Sequence, residues 1–236
     1  MTVAPLVLLD LDGTLTDSAP GIVASARAAY AALGLPAPDD TTLRSFVGPP
    51  IVSSFREHGV PDGRITEAVT AYRAAFTAGG MWDNAVFDGI PEALAALRSA
   101  GATMLVTTSK PSVYARPITE RFGLADLVDG VFGAPPDAVP SSKATVIGEA
   151  LAWLAGRGGH DPARTLMVGD REHDVLGAAV HGIATLGVAW GYASPGELER
   201  AGAVGVVAQP DDLAAAVLAR FSLPSARPGA VRTTGT

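Results

Sequence analysis

Residues 7–18, VLLDLDGTLTDS, decide the fold of this chain. A short apolar run ends at Asp10 and is followed by Asp12, Gly13 and Thr14, which is typical of a buried strand with carboxylates at its carboxyl end. Because side chains at positions i and i+2 of a strand share one face, Asp10 and Asp12 are expected to point into one small volume. Two such close carboxylates repel each other unless a cation separates them or one is protonated. The stretch therefore predicts a catalytic or metal-binding pair, and a polar strand end before a glycine turn is the simpler alternative.

The composition is that of a globular protein and excludes several classes of function. The chain has 236 residues, of which 48% are hydrophobic and 17% are charged. It has no cysteine, which excludes a disulfide framework and a cysteine-based zinc site. A formal net charge of -7 without a cluster of basic residues argues against nucleic acid or an anionic membrane as a partner. Because the first residues lack the features of a signal peptide, a cytoplasmic location is expected.

The segment after the first strand has the apolar spacing of helices. Helices are predicted at residues 20–33, 41–46, 51–58 and 64–78. None of these stretches shows the alternation of a half-buried strand. Residues 16–86 are therefore predicted to form a smaller, all-helical cap inserted after the first strand.

From residue 87 onwards, short apolar strands alternate with helices. Strands are predicted at residues 103–107, near 131–132, and at 165–168, 183–188 and 204–207, with helices at 90–99, 113–122, 143–154, 174–181 and 211–221. This alternation predicts an α/β core, a Rossmann-like parallel sheet with helices on both faces, made of residues 1–15 and 87–221. Residues 222–236 are rich in Pro, Gly, Ser and Thr and are predicted to be a disordered tail.

Polar residues follow two further predicted strands, where such sheets bind ligands. Thr108 and Ser109 come after the strand at residues 103–107 and suit either a phosphate cradle or a helix N-cap. Lys143 begins a helix, where the helix dipole disfavours a cation, so it is either exposed or functional.

The third strand end carries GDREHD, residues 169–174. If a helix begins near Asp170, then Asp170 and Asp174 share one face, which is unfavourable without a cation. Oxygen ligands without Cys or a His pair indicate Mg²⁺. An acidic helix start is the alternative, since acids are favourable there.

Taken in order, these residues resemble the four motifs of the haloacid dehalogenase superfamily, beginning with DLDGT at residues 10–14. The resemblance implies a phosphoryl-transfer site with Asp10 as nucleophile and Asp12 as general acid/base. It also implies that Thr108, Ser109 and Lys143 bind the phosphoryl group, with Lys110 of the TSKP sequence as the competitor of Lys143. The Mg²⁺ ligands implied by the resemblance are Asp10, the carbonyl of Asp12, Asp170 and Asp174.

The phrases TDSAPGI, FVGPP, MVGDREHD and GVAWGYAS resemble the branch that contains phosphoglycolate phosphatases and 5'-nucleotidase-like enzymes. This implies a Mg²⁺-dependent phosphatase that hydrolyses a small phosphate monoester through an aspartyl-phosphate, as a monomer or homodimer. A phosphomutase of the β-phosphoglucomutase type and a 2-haloacid dehalogenase are the alternatives.

In the cap, Arg44 and Phe46 are expected to contact the leaving group. A second carboxylate on the substrate would require a cap cation, for which Arg44, Arg56 and Arg64 are candidates. A nucleoside would require an aromatic shelf, for which the candidates are Phe46, Phe55, Trp82, Trp190 and Tyr192.

Overall fold

The computed structural model describes residues 4–135 and 142–222. Its strands, in chain order, are β1 (Leu6–Leu9), β2 (Thr16–Asp17), β3 (Ala85–Val86), β4 (Thr103–Pro111), β5 (Gly130–Ala134), β6 (Thr165–Gly169), β7 (Ala184–Val188) and β8 (Gly205–Val207). Its helices are α1 (Ala19–Ala32), α2 (Asp40–Arg44), α3 (Ile51–Glu57), α4 (Ile65–Ala78), α5 (Ile90–Ser99), α6 (Ser112–Arg121), α7 (Lys143–Ala155), α8 (Glu172–Ala179), α9 (Glu197–Ala201) and α10 (Leu213–Ser222).

Within these residues the main sheet has six parallel strands in the order β5-β4-β1-β6-β7-β8. Strand β1 lies in the middle, with Leu9 opposite Val106 of β4 and Val168 of β6. All four residues of β1 are buried, and they alternate between two apolar clusters on opposite faces of the sheet. Burial on both faces explains the unbroken apolar run before Asp10. The α/β prediction is confirmed, and this register brings Asp10, which follows β1, close to the second half of β4 and to the end of β6.

Helices α1 to α4 form the segment between β2 and β3, and α1 packs against α4. Their contacts include a chain of aromatic rings made by Tyr30, Phe46, Phe55, Tyr72 and Phe76. The two ends of the segment are not helical: β2 and β3 pair antiparallel and form a short ribbon. Two-residue strands are too short to show a sequence period, so helical spacing alone did not predict this ribbon.

One local prediction is wrong. Helix α8 begins at Glu172 with Arg171 at its N-cap, so Asp170 is not helical and does not share a helix face with Asp174. Asp170 instead directly follows β6, and the Asp174 carboxylate accepts a hydrogen bond from the Arg171 main-chain N–H. This bond caps the first turn of α8 and fixes the Asp174 side chain.

The disordered tail predicted for residues 222–236 lies, apart from Ser222 at the end of α10, outside the described residues. In the described ranges, none of the helices has the length and apolar character needed to cross a membrane.

Candidate active site

Three carboxylates meet where β1 and β6 end. Asp10 follows β1, Asp170 follows β6 and Asp174 lies in the first turn of α8. All three residues are buried, and each offers an oxygen atom within 4.8 Å of the others. The ammonium nitrogen of Lys143 lies 2.7 Å from Asp10 Oδ1 and 2.7 Å from Asp174 Oδ1. It also donates to the main-chain carbonyl of Thr107, which fixes Lys143 against the middle of β4.

The charges of this cluster do not balance. Three carboxylates face one ammonium, which leaves a formal excess of two negative charges. Burial raises the pKa of Asp10 to about 6, although the nearby Lys143 opposes the shift. The pKa of Asp170 is well above its ordinary value, because of burial and then because of Asp174 and Asp10. The cluster can therefore hold a divalent cation, and its all-oxygen ligands suit a hard one.

Asp12 is the other carboxylate of the first motif and contacts a different lysine. Its Oδ2 lies 3.1 Å from the ammonium nitrogen of Lys110, and both side chains are buried. Its Oδ1 is buried and has no hydrogen-bond partner within the described part of the chain. Asp12 nevertheless lies close enough to Asp10 for its negative charge to contribute to the raised pKa of Asp10. Both candidate lysines therefore lie in the site, Lys143 beside Asp10 and Lys110 beside Asp12.

Thr108 and Ser109 lie in β4, which runs to Pro111 with an irregularity between Thr108 and Pro111. Since α6 begins at Ser112, neither residue is a helix N-cap, and that alternative is wrong. The buried Thr108 hydroxyl accepts a hydrogen bond from the main-chain N–H of Lys110. Small hydroxyl side chains thus lie in the last part of β4, and Ser109 lines the same cavity as Asp12, where a phosphate oxygen would need donors.

The segment after β7 supports this arrangement from the side. The main-chain N–H of Tyr192 donates to Asp170 Oδ2 at 2.8 Å, and Trp190 Nε1 donates to the carbonyl of Thr14 at 3.0 Å. Gly13 has φ 80°, and a Cβ there would lie 2.3 Å from Asp170 Oδ2, so this turn requires glycine. Trp190 and Tyr192 are therefore structural supports of the first motif and do not line the cavity described next.

A cavity of about 400 Å³ lies between the core and helices α3 and α4. Asp12, Ser109 and Lys110 line it on the core side. Apolar and aromatic side chains form most of the rest, among them Phe46, Ile51, Val52, Tyr72, Phe76 and Tyr114.

The cavity includes Phe46, as the sequence predicts, but not Arg44, whose side chain is on the surface. The arginines that line it are Arg56 and Arg73. Arg64 instead binds Glu67 and the carbonyl of Leu33. A residue's place in a short helix decides which side of the cap it faces, and the helix boundaries near Arg44 could not be read finely enough from sequence.

The comparisons with known proteins agree with this geometry. The family model described as haloacid dehalogenase-like hydrolase matches residues 7–188. The chain is 42% identical over 195 residues to a 5'-nucleotidase of Pseudomonas aeruginosa, an alignment that covers 82% of this chain and 86% of that protein. It is 32% identical over 196 residues to a phosphoglycolate phosphatase of Vibrio parahaemolyticus, covering 79% of this chain and 84% of that protein.

A protein of Mycobacterium tuberculosis named tyrosine-protein kinase PtkA is 46% identical over 187 residues, covering 79% of this chain and 62% of the longer relative. Among solved structures, a predicted phosphatase from Clostridium acetobutylicum superposes with a TM-score of 0.84 at 37% identity, covering 92% of this chain and 100% of that chain. The chain thus belongs to the haloacid dehalogenase-like hydrolase family, and it is one of the family's phosphatases.

Proposed function

We propose that this phosphatase is Mg²⁺-dependent and hydrolyses small phosphate monoesters through an aspartyl-phosphate on Asp10. The observation that carries the proposal is the buried cluster of Asp10, Asp170, Asp174 and Lys143, next to a cavity large enough for a leaving group. The oxygen donors and the excess of negative charge fit Mg²⁺, which prefers carboxylates, waters and substrate phosphate as ligands. Asp10, Asp170 and Asp174 would hold the ion, with the carbonyl of Asp12 as a further ligand.

A bound Mg²⁺ supplies positive charge that offsets the charge of the phosphate. The chain's own residues carry out the steps. A carboxylate oxygen of Asp10 forms a bond to phosphorus as the bond to the leaving oxygen breaks, and Asp12, which must enter this step protonated, donates its proton to that oxygen. Asp12 then removes a proton from water, whose oxygen displaces Asp10 and releases phosphate. Lys143 holds Asp10 in place during both steps, and the hydroxyls of Thr108 and Ser109 donate to the phosphate oxygens.

The position of Asp12 supports its role. It lines the cavity, so its carboxyl group lies within reach of a leaving group, and its buried Oδ1 has no hydrogen-bond partner among the described residues. Lys110 holds the other oxygen at 3.1 Å. A general acid must be within hydrogen-bond reach of the atom it protonates, and Asp12 is the carboxylate at the cavity's core side.

For the substrate, the cavity favours a nucleoside 5'-monophosphate over phosphoglycolate. Its volume of about 400 Å³ falls in the range of pockets for ring-sized ligands, and its lining is mostly apolar and aromatic. Arg56 and Arg73 could instead bind the carboxylate of phosphoglycolate, but Arg56 is paired with Asp62 at 3.3 Å and both arginines are exposed. The cytoplasmic location and the monomeric or homodimeric state stay predictions.

The test is phosphate release from nucleoside 5'-monophosphates, phosphoglycolate, sugar phosphates and an aryl phosphate, each with Mg²⁺ and with a chelator. We expect release only with Mg²⁺ and the highest kcat/KM with a nucleotide. Chloride release from 2-haloacids without metal would instead establish the dehalogenase alternative. Isomerisation of a sugar phosphate without phosphate release would establish the phosphomutase.

A further inference from the structure

Arg171, at the start of helix α8, connects this helix to Glu197 and to the cap segment through its side chain. It lies between Asp170 and helix α8, and its side chain is 14% exposed. Its Nε donates to Glu197 Oε1 at 2.8 Å, and its Nη1 donates to the main-chain carbonyl of Val47 at 2.8 Å. The residue next to the carboxylate cluster thus contacts the cap through Val47 and the core through Glu197.

Glu197 is held firmly enough to orient this guanidinium. Its Oε1 also accepts from the main-chain N–H of Glu172 at 3.0 Å, and its Oε2 accepts from the main-chain N–H and the hydroxyl of Ser194, both at 2.9 Å. Although burial opposes ionisation, these bonds and the one from Arg171 lower the pKa of Glu197 to about 2. Glu197 is therefore an anion at neutral pH, which fixes the direction in which Arg171 points.

Val47 lies between two residues that line the cavity, Phe46 and Gly48. Val47 is fully buried and lies after the end of α2. The next residue, Gly48, has φ 102°, and a Cβ there would lie 3.4 Å from Arg171 Cγ. The loop of residues 46–51 connects α2 to α3 and includes Ile51, the first residue of α3. Its first and last residues, Phe46 and Ile51, both line the cavity. Arg171 therefore contacts a loop whose position determines the shape of the cavity.

We propose that Arg171 is a positioning residue, which holds the loop of residues 46–51 against the core segment that carries Asp170 and Asp174. We call the Arg171–Val47 hydrogen bond, with Glu197 behind it, the cap latch. When the latch is made, the leaving group is enclosed while the phosphoryl group lies at the carboxylates. This role rests on the proposed function, because a leaving group must occupy the cavity for the latch to affect turnover.

The planar guanidinium is suited to this task. It presents several N–H groups in a fixed fork and can bind Glu197 and Val47 at the same time. A lysine at this position would keep a positive charge next to Asp170 but would lack the fork. The Arg171→Lys variant therefore separates the latch from any effect of charge on the carboxylate cluster.

The experiment compares Arg171→Lys with a matched control, Arg98→Lys. Arg98 also donates to a main-chain carbonyl, that of Asp126 at 2.7 Å, but lines neither the cavity nor the carboxylate cluster. Three quantities are measured: amide hydrogen exchange of peptides that cover residues 44–56, the Mg²⁺ concentration for half-maximal activity, and kcat/KM. The substrates for kcat/KM are a nucleoside 5'-monophosphate and acetyl phosphate, whose leaving group is too small to fill the cavity.

If the latch acts as proposed, Arg171→Lys speeds exchange of the amides of Val47, Gly48 and Ile51, and Arg98→Lys does not. The kcat/KM for the nucleotide falls about ten- to a hundredfold, mainly through KM, because the leaving group is no longer held in register. The value for acetyl phosphate changes less than about threefold on the same reasoning. Glu197→Gln shows the same pattern with a smaller loss, since the amide oxygen of the glutamine still accepts from Arg171.

The latch is overturned if exchange in Arg171→Lys equals that in the control. It is also overturned if both substrates lose equally and the need for Mg²⁺ rises, because Arg171 would then act on the carboxylates alone. If the wild-type protein releases no phosphate from these two substrates or from the other phosphate esters named above, the proposed function fails. Hydrogen exchange still decides the latch in that case, because it does not depend on turnover.

Discussion

Two buried lysine–aspartate pairs lie side by side after β1, and their surroundings differ. Lys143 contacts Asp10 together with Asp174, in a cluster with an excess of negative charge. Lys110 contacts one described carboxylate, that of Asp12, and its ammonium nitrogen lies 4.8 Å from the centre of the Phe76 ring. This pair therefore has no excess of formal negative charge, and Lys110 and Asp12 both line the cavity. The comparison suggests that the same pair of residue types serves two tasks. The first region suits a cation and a transferred phosphoryl group, and the second suits proton exchange with the leaving group.

The largest expected effect is in the first region. Asp10→Asn removes the nucleophile but keeps the size of the side chain, so turnover should fall by about 10⁴-fold or more. Phosphate release under saturating Mg²⁺ measures this loss for any substrate that the wild-type protein accepts. Full activity in this variant would show that the two regions are not divided as proposed.

In the second region, Asp12→Ala should reduce turnover by about 10² to 10⁴-fold, the usual range for a general acid/base. The loss should be smaller for an aryl phosphate than for an alkyl phosphate, because a good leaving group needs less protonation. This dependence on the leaving group separates Asp12 from Asp10, whose loss should be the same for both esters. Parallel assays of both variants on both esters make the comparison.

The two lysines should differ in their effect on stability. Lys143→Met leaves three buried carboxylates without their cation, so the free energy of unfolding of the metal-free protein should fall by about 3 kcal/mol. Lys110→Met leaves one carboxylate beside a cavity and should cost less. Urea unfolding with a chelator and with Mg²⁺ tests this, and Mg²⁺ should restore more stability to Lys143→Met. Equal losses without a response to Mg²⁺ would contradict the difference in charge balance.

The smallest effect concerns pH. Because the pKa of Asp10 is about 6 in the metal-free protein, protons compete with Mg²⁺ for this carboxylate. The apparent affinity of the protein for Mg²⁺ should therefore be about tenfold weaker near pH 5 than above pH 7. The folded pKa also exceeds the ordinary value of 3.8, so this group makes the metal-free protein less stable as pH rises from about 4 to 6. The shift in Tm caused by Mg²⁺ at several pH values measures the competition. In Lys110→Met, the pH dependence of this Tm shift should be unchanged. If it disappears in that variant, the titrating group belongs to the region around Lys110 and not to the region around Lys143.

The arrangement of the core could largely be predicted from the sequence, for a physical reason. Parallel strands end at the same edge of a sheet, so polar residues that follow separate apolar runs must come together. This reasoning places Asp10, Thr108 and Asp170 near one another without any side-chain detail. It could not predict that Lys143 contacts Asp10 and Lys110 contacts Asp12, because these contacts depend on the direction of two long side chains.

The cap could be predicted much less well. Its helices α2 and α3 are short, and a glycine turn with φ 102° lies between them, so small changes in direction decide which residues reach the cavity. For this reason the sequence predicts Arg44 as a contact of the leaving group, whereas the structure places Arg73 in the cavity wall. The contact between Arg171 and Val47 could not be predicted either, because the two residues are 124 positions apart. The acceptor is a main-chain carbonyl, which every residue type has, so no sequence pattern indicates it.

The ribbon formed by β2 and β3 makes both connections to the cap a single junction. Thr16 pairs with Val86 and Asp17 with Ala85, and the main-chain N–H of Phe87 also donates to the carbonyl of Leu15. The chain therefore leaves and re-enters the core at one place. An insert of different length or sequence could be exchanged there without changing the order of the six-stranded sheet. A fold with this junction can acquire a new substrate while its phosphoryl chemistry stays untouched.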